Sequence, residues 1–126
     1  MLVLDTSVLV DSLTGPRRMG PDVQEAVRRG EALVIPVLVL YEWLRGPRTA
    51  QEIEDEQKLL GIERTLVFDA EDAALSARLY RSVRRARGRE IDLAIAACAI
   101  NREAPLWTLN RADFADIPGL QLYQPR

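Results

Sequence analysis

Three carboxylates in this chain each stand alone in an otherwise uncharged, mostly apolar stretch: Asp5 in LVLDTSVLV, Glu42 in ALVIPVLVLYEWL and Asp92 in IDLAIAACAI. Apolar runs of this kind fold into the interior. An acid carried in with them costs several kcal/mol unless it is paired or protonated. One such residue could be a helix cap. Three, from separate segments, point to a fold that brings them together where something positive, in practice a metal ion, collects their charge.

The chain is 126 residues long, enough for one domain with a real core, and residues 1–126 read as a single unit. A hydrophobic content of 48% with 29% charged residues belongs to an ordinary globular chain. No uncharged run approaches the roughly 20 residues that span a bilayer. No basic n-region or cleavage site precedes the first strand-like residues, so the expectation is a cytoplasmic, unprocessed chain with no membrane role. Cys98 is the only cysteine, so no intrachain disulfide forms, and its setting in AIAACAI suits a small buried hydrophobe. Histidine is absent. That excludes Ser/His and Cys/His triads, imidazole ribonuclease chemistry and His-ligated zinc. Carboxylates, hydroxyls, arginine and metal are what remains.

Net charge is −2, which argues against general adhesion to nucleic acid. Among 17 basic residues, Lys58 is the only lysine. Arginine offers planar, bidentate phosphate recognition, although a GC-rich genome produces the same bias.

Short apolar runs alternate with helical patterns along the chain. Strands are expected at Leu2 to Leu4, Glu31 to Ile35, Thr65 to Phe68, Pro105 to Thr108 and Leu120 to Tyr123. Between them, helices are expected over Thr6 to Leu13, Pro21 to Arg29, from Pro36 to the Gly46-Pro47 stop, and Arg48 to Leu60. Asp69 should cap a long helix to about Arg87, with Gly88 closing it, and Ile91 to Asn101 should form an apolar helix rich in alanine. This alternation predicts an α/β fold with a mainly parallel sheet. Such sheets bind ligands beyond the carboxyl ends of their strands, where Asp5 sits and where Asn110 and Asp113 follow the fourth strand.

Each acid has a plainer alternative. Asp5 and Asp92 could cap the helices that begin beside them. Glu42 could pair with Arg45 one turn on, and Asp113 could be a solvated loop acid. Thr6 and Ser7 read as early-helix residues that bond the carboxylate or a bound water, since no base is present to activate them. Asp11 could stand behind Asp5. Asp69 and Asp72 fit a cap and a first turn, and Glu52, Glu54, Asp55 and Glu56 a polar helix face. Ala73, Ala77, Tyr80 and Val83 form an apparent inward stripe on the long helix. That leaves Arg78, Arg81, Arg85 and Arg89 for solvent or for RNA phosphates. Gathered together, Asp5, Glu42, Asp92 and Asp113 would suit Mg²⁺, or Mn²⁺ in its place, and metal-assisted phosphodiester hydrolysis.

The segments LDTSVLVDSL, YEWLRG, GREIDLAIAACAI and PLWTLNRADFADIPGLQL, in this order over essentially the whole chain, resemble a PIN-domain ribonuclease. Among PIN domains they resemble the VapC-type toxins of toxin–antitoxin pairs. The resemblance implies a three-layer α/β/α sandwich and a Mg²⁺-dependent endoribonuclease acting on structured RNA, often transfer or ribosomal RNA. Its acidic site would map onto Asp5, Glu42, Asp92 and Asp113, with Asn110 at a polar position of the last motif. It also implies a homodimer and a co-encoded antitoxin whose C-terminal segment lies in the active-site groove. Two departures stand out. Ile35-Pro36 replaces the small hydroxyl residue common before the glutamate, and Trp43 is bulkier than the usual aliphatic residue; both could reshape the groove. The RNA target, the number of metal ions, and whether Asp113 or Asn110 completes the site stay open. A phosphoryl-transfer domain would need a strand-end lysine that this chain lacks. A non-catalytic binding module of the same fold and a housekeeping RNA-processing nuclease are the remaining alternatives.

Overall fold

The structure, a computed structural model, describes residues 1–125. Four short strands, β1 (Leu2–Leu4), β2 (Leu33–Pro36), β3 (Thr65–Leu66) and β4 (Leu106–Trp107), form one parallel sheet in the order β3-β2-β1-β4. Register is set by the pairs Leu2–Leu33 and Val3–Val34 on one side of β1, and Val3–Leu106 and Leu4–Trp107 on the other. Seven helices flank it: α1 (Thr6–Leu13), α2 (Gly20–Arg28), α3 (Val37–Arg45), α4 (Ala50–Leu59), α5 (Ala70–Ser82), α6 (Glu90–Asn101) and α7 (Arg111–Phe114). This is the expected α/β/α sandwich.

Both faces of the sheet are covered, so its strands are continuous apolar runs rather than alternating ones. All of β1 and β2 is buried. Trp43, Trp107 and Phe114 are the largest side chains closed off in the core. Seven consecutive residues of α6, Leu93 to Ala99, are buried, and four of them are alanines that let its backbone pack closely. Cys98 lies among them, and burial pushes its thiol up to about 12, so it acts as a small hydrophobe.

The order of strands matters for function. The chain winds from β1 outward to β2 and β3, then returns to the opposite side of β1 as β4. The reversal leaves a crevice between the carboxyl ends of β1 and β4, the place where such sheets take ligands.

Several elements differ from the sequence-based expectation. β3 stops at Leu66, and the expected fifth strand is a single bridge from Leu122 to Leu106. The long helix ends at Ser82, not near Arg87, and Arg85 is left-handed with φ 55°. Like-charged arginines three and four residues apart oppose helix there. The inward face of α5 is also rotated. Asp72 and Leu79 are buried, whereas Ala73, Ala77 and Tyr80 are exposed. A buried ion pair rather than the alanine stripe sets that rotation: Arg102 donates to both oxygens of Asp72, at 2.9 and 3.2 Å. Glu56, expected on a solvated face of α4, is buried and its Oε2 has no hydrogen-bond partner among the described residues. Trp43, expected near the groove, is fully buried with the Arg48 guanidinium 4.3 Å over its ring.

Candidate active site

Asp5 is the first residue beyond β1, and its backbone N–H donates to Trp107 O at 2.9 Å, which locks it beside the end of β4. It occupies the cap position of α1, yet its side chain makes no cap bond. Instead its Oδ2 accepts from Ser7 Oγ at 2.9 Å and from Thr108 Oγ1 at 2.7 Å. Those hydroxyls are themselves fixed: Leu109 N donates to Ser7 Oγ, and Asn110 N to Thr108 Oγ1, both at 3.0 Å. Both hydrogen bonds fall on one oxygen, and among the described residues Oδ1 accepts none. Only 4% of Asp5 is exposed.

Glu42 is held in a parallel way. Its Oε1 accepts from Thr6 Oγ1 at 2.6 Å, across from α1 to α3. The alternative pairing with Arg45 is present too, at 3.5 Å through Oε2, with Glu42 19% exposed. Thr6 and Ser7 therefore orient carboxylates.

Asp92 lies in the first turn of α6, where Arg89 rather than Asp92 holds the cap position. Burial, then the negative charges of Asp5, Glu42 and Asp113, push its carboxyl up to about 6, with Arg89 opposing. Asp5, Glu42 and Asp92 share one open cavity of about 510 Å³, with Thr6, Ser7 and Asn110. Val10, Pro16 and Leu109 add an apolar side, and Asp11 reaches the same cavity while its Oδ2 accepts from Met19 N. Asp113 does not line it. Its side chain is exposed on α7, near enough that its charge acts on Asp92.

The donor set is hard oxygen throughout, which suits Mg²⁺ or Mn²⁺. Among the described residues no three acids converge closely enough to ligate one ion directly. An ion that keeps several waters and touches one or two carboxylates fits this spacing, and Mg²⁺ binds in that manner. Asp92 is raised first by burial and then by the three neighbouring acids, with Arg89 offsetting only part of this.

Arg78, Arg81 and Arg85 are exposed and form no ion pair among the described residues, whereas Arg89 is turned inward. Its guanidinium grips Asp116 at 2.6 and 3.0 Å, so it is not free for a phosphate. Thr108 is a site residue that sequence reasoning missed. The signal was present: it follows β4 as Asp5 follows β1, so the paired strand ends place them side by side.

A family model for the PIN domain matches residues 2–120. Ribonuclease VapC19 of Mycobacterium tuberculosis is 33% identical over 123 residues, covering 96% of this chain and 98% of that protein. Two solved structures share the fold at lower identity. VapBC2 from Rickettsia felis bound to a promoter DNA fragment superposes with a TM-score of 0.73 at 21% identity, over 97% of this chain and 96% of that one. DNA-bound VapBC from Salmonella typhimurium gives 0.76 at 18% identity, with the same coverages. The chain belongs to the PIN-domain family, in its VapC branch.

Proposed function

We propose that this protein is a divalent-metal-dependent endoribonuclease, the toxin of a toxin–antitoxin pair, that hydrolyses structured RNA of the transfer or ribosomal class. One observation carries the reading: Asp5, Glu42 and Asp92, from three distant segments, line a single cavity at the crevice between β1 and β4. Within the cluster Arg45 reaches only Glu42, at 3.5 Å, and Arg89, whose charge acts on Asp92, is bonded to Asp116. One or two of Asp5, Glu42 and Asp92 would touch the ion directly and the rest would reach it through its waters, with Asp113 adding charge from α7. Such an ion, when bound, acidifies a water and neutralises phosphate oxygens.

The protein's own part is placement. Ser7 and Thr108 fix the Asp5 carboxylate, Thr6 fixes Glu42, and Asn110, which lines the cavity, would orient the phosphate or the attacking water. Water attack in line with the leaving 3′-oxygen forms a P–O bond as the old one breaks. It leaves 5′-phosphate and 3′-hydroxyl ends, with no need for the ribose 2′-hydroxyl. Exposed Arg78, Arg81 and Arg85 would track RNA phosphates toward the cavity.

An antitoxin segment lying in the same cavity would silence it, as the VapBC composition of the related structures suggests. The exposed Ala73, Ala77 and Tyr80 face of α5 would suit a second copy in a homodimer, which sedimentation would reveal. Among the described residues no helix is long and apolar enough to cross a membrane; the proposed place of action is the cytoplasm, where its RNA substrate would lie. The test is incubation with total RNA in Mg²⁺, Mn²⁺ or EDTA, beside Asp5→Asn. Metal-dependent cuts with 5′-phosphate ends, lost in the variant, support the reading. Intact RNA under every metal condition overturns it in favour of a binding module.

A further inference from the structure

Asp113 poses a problem that the cavity residues do not. It sits on α7, a single four-residue turn with no side-chain cap, and isolated turns do not hold themselves. Phe114 and Ile117 anchor one side of this segment in the core. Two side chains tie it further: Arg111 Nη1 donates to Tyr123 O at 2.9 Å, and Arg89 grips it from the start of α6. Arg89 Nη2 donates to Asp113 O at 2.8 Å and to Asp116 Oδ1 at 2.6 Å, while Nη1 donates to Asp116 Oδ2 at 3.0 Å and to Arg84 O at 3.1 Å. Arg89 is itself the residue from which α6 starts, three positions before Asp92. A single planar fork therefore ties the start of the Asp92 helix to the backbone of Asp113. The bidentate half of that grip is a geometry that lysine cannot reproduce.

We propose that Arg89 is a positioning residue that, locked by Asp116, holds α7 so that Asp113 faces Asp92 across the mouth of the cavity. This rests on the nuclease reading for its consequence in rate, and on geometry alone for its consequence in structure. Arg89 acts through Asp113, not on the substrate. Losing it therefore lowers turnover without lowering RNA affinity, and lysine rescues little. Charge alone makes the opposite prediction for metal: removing a cation whose charge acts on Asp92 and Asp113 should tighten divalent binding.

The test compares Arg89→Gln, Arg89→Lys and the surface variant Asp116→Asn, each in wild-type and Asp113→Asn backgrounds. Amide exchange across 113–117 should quicken at least tenfold in Arg89→Gln while residues 93–99 of α6 stay protected. Mn²⁺ affinity, read from the free-ion EPR signal, should weaken about tenfold or hold level. Turnover should fall roughly 10- to 100-fold with KM within about threefold, and Asp113→Asn should abolish most of that further loss. Unchanged exchange in α7, tighter Mn²⁺ binding, or full additivity with Asp113→Asn each overturns the proposal. If the wild-type protein cuts no RNA, the nuclease reading fails. Exchange and Mn²⁺ binding then still decide whether Arg89 holds α7.

Discussion

Asp72 and Asp92 are both acids in the first turn of a helix, and the protein treats them in opposite ways. Asp72 is fully buried, yet every oxygen is matched: Arg102, Asn101 and the Asp69 N–H all donate to it. Burial by itself would raise its pKa. The bonds from Arg102, Asn101 and Asp69, with the Arg102 charge, outweigh that and pull it down to about 2. Asp92 has burial too, but its charged neighbours are mostly other acids, and it ends at about 6. A carboxylate placed to hold a fold is supplied with its cation by the chain. Under the proposed function, Asp92 is left to take its cation from solution.

The sharpest way to break this contrast is to neutralise Asp92. Under the proposed function, Asp92→Asn should reduce cleavage by on the order of 10³-fold, about 4 kcal/mol of barrier. In EDTA near pH 8 the same change should stabilise the fold by on the order of 1–3 kcal/mol, because it removes an ionised group from a crowd of like charges. Urea titration reads the stability and RNA cleavage the rate. A destabilised Asp92→Asn in EDTA would mean that the acid has a structural partner, and the contrast would fail.

The mirror experiment is Asp72→Ala, which should cost about 3 kcal/mol or more by leaving Arg102, 19% exposed, without its partner. At a temperature where the variant stays folded, cleavage should hardly change. A large loss of activity with intact folding would show that the Asp72 cluster reaches the cavity.

How far these roles could be read in the sequence differs between the two clusters, for a physical reason. Asp5, Glu42 and Asp92 were legible because each interrupts an apolar run, and apolar runs go inside. The parallel fold followed from alternating short strands and helices, so a shared rim could be deduced without any distance. Asp72 was not legible as buried: it sits among exposed acids and alanines, and its partner Arg102 is far along the chain. Only the three-dimensional packing of α5 on α6 brings them together. Glu56 and the rotated face of α5 were misread on the same ground, since helical periodicity identifies a stripe but tertiary contact chooses which stripe turns inward. Thr108 lay between these cases, placed by strand pairing yet hidden by having an ordinary residue type.

Acid separates the clusters next. Asp72 has a folded pKa of about 2 against an ordinary 3.8. It is a depressed acid, so its contribution is present in full above pH 4 and disappears as pH falls toward 2. The size is about 2 kcal/mol. Comparing urea melts at pH 5 and pH 2 for the wild type and Asp72→Asn isolates it from other carboxylates: the variant should lose about 2 kcal/mol less. Equal losses would show that Asp72 is not held ionised by Arg102.

The smallest effects come from removing one neutral donor in each cluster. Asn101 Nδ2 donates to Asp72 at 2.9 Å, and Thr108 Oγ1 donates to Asp5 at 2.7 Å. Asn101→Ala and Thr108→Val should each cost about 1 kcal/mol of stability, the ordinary net worth of such a bond. Their effects on rate should part company. Asp72 keeps Arg102 when Asn101 is gone, and no reacting group depends on its angle. Asp5 keeps only Ser7 when Thr108 is gone, so its free oxygen loses its fixed direction into the cavity, and turnover should fall about 10- to 100-fold. A Thr108→Ser variant restores the hydroxyl and should recover most of the rate, because the oxygen rather than the methyl group does the positioning. If Thr108→Val lowers stability but leaves turnover within about twofold, then Asp5 is oriented by its backbone alone, and the two clusters differ only in their cation.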